Sequence, residues 1–388
     1  MRAVIRAPLL SISGYGQHSR QIFSALKACG KISHLHTQVV QWGNTSWYVN
    51  PDEENGIIGD IMARSSDQNE GYDISFQVQL PDEWSTTLAK INVGVTAAVE
   101  TDRCNPEWVN RCNMMNAIVV PSHFTKQVLQ NTGNITVPIH VVGEWYIEEI
   151  DNENLPKIDL NFKTNFNFLI VSQLTSHDSS VDRKNITNTI KWICETFKDD
   201  PSVGIILKTN SGRGTDIDRS TTINALQMIL GPLRQTSKVP VYLIHGNMTN
   251  SEIASLYRHP SVKALVNLTR GEGFGLPLLE AAVSSLPIIA TDWSAHTEFL
   301  NLGKWIKIEH DLVTVPDSRI DNRIFMQGVK WANPREEAFK KKIKKFRESF
   351  VTPESWAKEL SHECKKKFSK DAITPQYARI LSELVSNV

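Results

Sequence analysis

The 388-residue chain is short of cysteine, with only Cys29, Cys104, Cys112, Cys194 and Cys364, and no two of these are spaced as CxxC. An odd, scattered set excludes a disulfide framework and a cysteine-built structural zinc site, and implies reduced thiols in a cytoplasmic protein. Net charge is absent too: 42 Lys+Arg face 42 Asp+Glu, so no global field demands nucleic acid or an anionic membrane as partner. No apolar run approaches the roughly 18 residues needed to cross a bilayer. The opening MRAVIRAPLLSISGYG has an interrupted apolar character that reads as a first buried strand and loop rather than a signal peptide. The expectation is a cytoplasmic protein, at most peripheral to a membrane.

What the chain does have is alternation. Short apolar runs and helical stretches follow one another, the pattern of βα units that build a mainly parallel sheet. Strands are expected at 3–7, 37–42, 74–78, 93–99, 118–120 and 139–142, with helices at 17–29 and 122–130. Between about 148 and 165 the sequence EEIDNENLPKIDLNFKTN loses its apolar period and reads as a linker. The alternation then restarts: strands at 168–172, 203–208, 241–245, 264–268 and 288–290, and helices at 185–197, 221–230, 251–258 and 277–284. Thr249 and Glu252 have the spacing of a capping box. From Pro334 onward the pattern is purely helical. A chain this long is expected to divide into two domains, here 1–155 and 156–369, each doubly wound α/β, with a closing helix over about 370–388 packing back on the first.

Chemistry concentrates in GEGFGLPLLE, residues 271–280. A strand ends at a glycine-rich turn and a helix begins near Pro277, a favoured first-turn residue. Helix-start amides lack internal partners and the helix dipole adds positive charge, so a diphosphate fits there. Gly271, Gly273 and Gly275 permit close backbone approach. The carboxylates of Glu272 and Glu280 flank the turn, and each can accept two hydrogen bonds from adjacent hydroxyls. That arrangement suits a nucleotide sugar.

Glu272 and Glu280, with GFGLP between them, resemble the EX7E signature of the family 4 (group 1) glycosyltransferases, which have the GT-B fold: two Rossmann-like domains facing a central cleft. The resemblance implies transfer of a hexose from a nucleotide-diphosphate sugar (UDP- or GDP-sugar) to an acceptor hydroxyl, with retention and with no metal or other cofactor. It places Glu272 beside the donor hexose, Glu280 on the ribose hydroxyls, and the amides of Gly273, Phe274, Gly275 and Leu276 on sugar and phosphate. DRKN, residues 182–185, resembles the family's RKG or RKN element, so Lys184 and Arg183 neutralise the diphosphate. Where relatives carry an Arg just after the preceding strand, this chain has Gln173.

Lesser candidates are Gly14 and Gly16 in the SGYG loop and Lys208 at the end of GIILK, on the donor side. Glu100 and Asp102 in VETDRC are candidates on the acceptor side. The acceptor itself stays open among glycan, lipid-linked sugar, protein, small molecule and modified nucleic acid. In DWSAHTEFL, Ala295 and His296 stand where relatives have a glycine-rich loop, and a lone histidine there reads as structural. Asp216 and Asp218 form a literal DxD that reads as helix capping. The basic run at 340–347 reads as a solvated helix face, with peripheral membrane contact as the other reading. Two further functions remain open: a nucleotide-sugar epimerase with the same fold, and an inactive sugar-nucleotide-binding scaffold, suggested by Gln173.

Overall fold

The computed structural model describes all residues except 67–70, 98–99, 175 and 387–388. Ala98 and Val99, in the strand expected over 93–99, and the last two positions of the expected closing helix therefore lie outside the described residues. The strands are β1 (Arg2–Ala7), β2 (His34–Val39), β3 (Tyr72–Val78), β4 (Ala89–Val95), β5 (Ala117–Val120), β6 (Ile139–Val141), β7 (Phe166–Val171), β8 (Val203–Thr209), β9 (Val241–His245), β10 (Val262–Asn267), β11 (Ile288–Thr291), β12 (Ile306–Ile308), β13 (His310–Thr314) and β14 (Lys330–Pro334). The helices are α1 (Gly14–Ala28), α2 (Ile57–Ala63), α3 (Pro106–Asn113), α4 (His123–Thr132), α5 (Ile186–Thr196), α6 (Asp216–Leu233), α7 (Asn250–Tyr257), α8 (Leu276–Val283), α9 (Thr297–Leu300), α10 (Glu336–Glu348), α11 (Val351–Phe368) and α12 (Lys370–Ser386).

The chain divides into two compact units. Met1–Trp145, Asp321–Met326 and Phe368–Val388 make the first, and Tyr146–Ile320 with Gln327–Lys367 the second. The first unit holds a sheet of order β2-β1-β3-β4-β5-β6, parallel throughout. Parallel strands are buried on both faces, which is why their sequences are nearly continuous apolar runs. Along β5, Ala117 and Val119 join Ile22 and Phe23 of α1 and Tyr377 and Ile380 of α12. Ile118 and Val120, on the opposite face, join Trp84, Trp108 and Cys112.

The second unit's sheet runs β9-β8-β7-β10-β11-β12, parallel throughout. In chain order this is 3-2-1-4-5-6, the Rossmann order, in which the switch from leftward to rightward winding opens a crevice beyond the first and fourth strands. Here those strands are β7 and β10.

Among the differences from the sequence reading, α2, α3, α9 and β12 were not expected, the strand expected at 37–42 lies at His34–Val39, and α6 begins at Asp216 rather than at 221. β13 and β14 form an antiparallel hairpin where none was expected, because HDLVT and KWANP are short and polar and Trp331 is buried by tertiary contact, with the Arg270 guanidinium over its ring. The expected SGYG loop is the first turn of α1. Ser13 caps that helix and accepts from Gly16 N at 3.1 Å.

A Cβ on Gly16 would lie 1.9 Å from Ser11 O, whereas Gly14 has open space at that position. The chain's own backbone thus requires glycine at 16. Gly16→Ala is expected to cost about 3 kcal/mol or more through overpacking and Gly14→Ala far less. Thermal unfolding of the two variants checks this, and an unchanged melting temperature for Gly16→Ala would remove the close approach.

Candidate functional site

The loops after β7 and β10 meet at the switch point of the second unit. After β7, Gln173 is exposed. The DRKN turn is fixed by the buried Asp182, whose carboxylate accepts from Ile186 N at 2.7 Å and Lys184 N at 3.2 Å. Asn185 takes a left-handed φ of 55° just before α5. This turn carries Arg183 and Lys184 to the loop after β10. Arg183 Nη1 donates to Gly271 O at 2.8 Å, and Arg270 N donates back to Arg183 O at 2.8 Å.

Lys184 Nζ donates to both oxygens of Glu272, at 2.6 and 2.8 Å, and Arg183 Nη1 lies 3.9 Å from Glu272 Oε2. Burial by itself pushes the Glu272 carboxyl up, but the charges of Lys184 and Arg183 outweigh it and hold the group below its ordinary value. Lys184 and Arg183 thus place two cations beside the Glu272 carboxylate. Beside them Gly275, with a left-handed φ of 101°, precedes α8, which has Pro277 in its first turn and, among the described residues, no side-chain cap hydrogen bond at this end. Phe274 is buried and packs on Phe299 at 5.4 Å between ring centroids, which anchors the turn.

Glu280 follows on α8, buried, and accepts a 3.0 Å hydrogen bond from the Tyr257 hydroxyl of α7. Burial, and next the Glu280 charge, push that hydroxyl well above its ordinary value, so Tyr257 remains a donor. The site can therefore hold an anion against Lys184, Arg183 and the α8 start, with a carboxylate on either side for hydroxyl groups.

No family model matches the chain, and no curated protein matches it. Solved structures do. Sucrose-phosphate synthase from Thermosynechococcus elongatus matches over 100% of both chains at TM-score 0.65 and 12% identity. A trehalose-6-phosphate synthase matches over 100% of both at 0.63 and 12%. The pneumococcal O-GlcNAc transferase GtfA, solved with UDP and GlcNAc, matches over 80% of this chain and 57% of its own at 0.52 and 14%. The chain has the GT-B fold.

The remaining candidates of this GT-B chain are placed as follows. Lys208, buried near the end of β8, donates to Gly246 O at 2.7 Å, and burial lowers its ammonium to about 8. Asp218 accepts from Thr215 N, Thr215 Oγ1 and Arg213 N at 2.8 to 3.0 Å and closes a capping box at the start of α6, so the DxD caps a helix. Thr249 and Glu252 likewise cap α7. In the first unit, Glu100 and Asp102 are half-buried in the segment after β4, and Asp102 lies 3.8 Å from Arg103.

Several residues near the site were not singled out from sequence. Tyr257 had no local signal, standing 23 positions from Glu280. Arg270 is buried and donates to Ser179 O at 2.9 Å and Asn333 Oδ1 at 2.6 Å, tying three segments together. Its place two residues before Glu272 was the available clue.

His18 of α1 is 2% exposed and lies 4.0 Å from Glu144, and neither ring nitrogen has a hydrogen-bond partner among the described residues. Burial lowers it from 6.5 to about 4. Above pH 6.5 it is neutral folded and unfolded, and its effect on stability is constant. As pH falls towards 4 the unfolded chain takes up a proton that the folded chain refuses, so stability is lost, by about 3 kcal/mol for this gap. His18→Gln is expected to reduce the loss between pH 6.5 and 4 in denaturant titrations, and an identical pH profile would argue against it.

Proposed function

We propose that the chain is a glycosyltransferase that moves a hexose from a nucleoside-diphosphate sugar to an acceptor hydroxyl, with retention. The observation that carries this reading is the Lys184–Glu272 pair at the β7/β10 switch point, beside the start of α8 and with Glu280 beyond it. Lys184, Arg183 and the α8 amides would stabilise charge developing on the leaving diphosphate, the main electrostatic demand of an oxocarbenium-like transfer. The ammonium that neutralises Glu272 is the charge a diphosphate needs. Donor binding would draw Lys184 towards phosphate and free Glu272 to accept sugar hydroxyls.

Glu280 is assigned to the ribose. Gly273, Phe274, Gly275 and Leu276 are assigned to sugar and phosphate through their backbone, with Gln173, Lys208, Gly14 and Gly16 as further donor-side positions. The acceptor is assigned to the 1–155 domain, with Glu100 and Asp102 as contacts, and the donor to 156–369. Retention is supported by the likeness to the trehalose-6-phosphate synthase, which is an enzyme of glycosyltransfer with retention. A nucleotide-sugar donor is supported by the GtfA likeness with its bound UDP.

Fixed cations supply the positive charge, so transfer is proposed to be metal-independent. The chain is placed in the cytoplasm, and no helix among the described residues is long and apolar enough to cross a membrane. Peripheral membrane contact would fall to the basic run of α10. Lys340, Lys342 and Arg347 of α10 are engaged by Glu195 and Glu336, by Glu309, and by Asp200, leaving Lys341, Lys344 and Lys345 as the exposed cations of that run.

Incubation with UDP-, GDP- and ADP-sugars is expected to release nucleoside diphosphate from one donor class, at a rate unchanged by EDTA. Binding without release, even with acceptors present, would instead support a sugar-nucleotide-binding scaffold.

A further inference from the structure

Glu272 is held through its backbone as well as its side chain. Its N–H donates to Ser294 Oγ at 2.9 Å, and its carbonyl accepts from Ala295 N at 3.3 Å. Two residues on, His296 is fully buried, with Nε2 2.7 Å from Thr291 O and Nδ1 3.3 Å from Ser294 Oγ. A carbonyl oxygen offers no proton, so Nε2 must carry one, and the neutral ring then has its lone pair on Nδ1. The Ser294 hydroxyl donates to that lone pair and keeps its own oxygen for the Glu272 N–H. One direction of donors satisfies every member of the chain.

Two backbone features support this arrangement. Ser294 has a φ of 83°, a left-handed conformation that is strained for a non-glycine residue and persists only where surroundings over-determine it. A Cβ on Gly275 would lie 3.3 Å from His296 Cβ, so the base of the His296 side chain is packed against the residue that precedes α8.

We infer that Ser294 and His296 form a hydrogen-bonded relay, with His296 in its Nε2-protonated tautomer, that positions Glu272 for sugar transfer. The inference rests on the proposed reading of Glu272 as the donor-sugar carboxylate. His296 is a positioning residue, acting through Ser294. Its loss displaces Glu272 by a fraction of an ångström to an ångström, a misplacement that costs transfer about 100-fold. Glu280 lies outside the relay, so nucleoside-diphosphate affinity stays near the wild-type value.

The test uses the full chain. Ser294→Gly removes both the left-handed strain and the hydroxyl, and is expected to keep or raise the melting temperature, lower kcat for donor turnover about 100-fold, and leave the calorimetric Kd for UDP or GDP unchanged. His296→Phe is expected to lower kcat likewise, and His296→Asn, which offers an amide oxygen near the Nδ1 position, to recover part of it. Nitrogen-15 NMR of histidine-labelled protein, assigned with His296→Phe, is expected to show a neutral Nε2-protonated ring. Wild-type kcat in Ser294→Gly, an Nδ1-protonated ring, or Kd weakened in proportion to kcat would each overturn the relay. If the wild type releases nucleotide from no donor, the transfer reading fails while the NMR tautomer still decides the relay.

Discussion

Lys184→Ala is expected to lower nucleotide release about 100- to 1,000-fold, the cost of removing one preorganised charge from an active site, and to destabilise the second unit by about 3–5 kcal/mol. Both effects follow from the burial of the pair, whose side chains are 18% and 10% exposed. Once Lys184 is gone, burial dominates the Glu272 carboxyl and pushes it upward, Arg183 at 3.9 Å being a weaker partner. In the wild type the folded value lies below the unfolded one. The stability it contributes is therefore present above the ordinary carboxylate range and lost as pH falls through the folded value. The deficit of Lys184→Ala is expected to be largest at neutral pH and to shrink below about pH 4, where the carboxyl is protonated in the unfolded chain as well.

A double variant separates folding from function. Lys184→Met with Glu272→Gln removes both charges at similar volume and is expected to recover most of the lost stability, since a buried pair adds little over neutral packing. Turnover is expected to stay at or below the level of Lys184→Ala. Recovery of turnover together with stability would show that the charges serve only the fold.

The second large effect is expected at Glu280. Glu280→Ala should weaken calorimetric affinity for UDP or GDP about 10- to 100-fold, the range for losing hydrogen bonds to a charged acceptor. Tyr257→Phe leaves the carboxylate in place but removes the hydroxyl that donates to it at 3.0 Å, and a milder loss is expected. Unaltered affinity in Glu280→Ala would sink the ribose assignment. Equal losses in both variants would place the effect in α7–α8 packing rather than in a ligand contact.

The glycine turn and its flanking carboxylates were legible because their chemistry is local: Gly275, Pro277 and the following apolar run specify a tight turn and helix start within ten residues. Lys184 was also legible, as a cation at a helix start where the dipole disfavours it. That Lys184 bonds both oxygens of Glu272, 88 positions away, was not. Such a contact depends on β7 and β10 lying side by side, and strand order leaves no trace in either segment alone. His296 read as a lone structural histidine, because a relay through Ser294 to Glu272 N spans two loops. Likewise the hairpin of β13 and β14 depends on Trp331 and Arg270 meeting, a pairing of residues 61 positions apart.

The sequence by itself determined the alternating α/β architecture, the restart of the pattern after residue 165 and the place of the glycine-rich turn before α8, since periodicity, capping and glycine conformational freedom act over a few residues. Only the tertiary structure decided which charges neutralise one another, which buried hydroxyls and rings support the two carboxylates, and that Gly16 is required by the carbonyl of Ser11. Those outcomes come from parallel strand pairing, which brings distant loops to one edge of a sheet and lets burial, rather than sequence spacing, set their electrostatics.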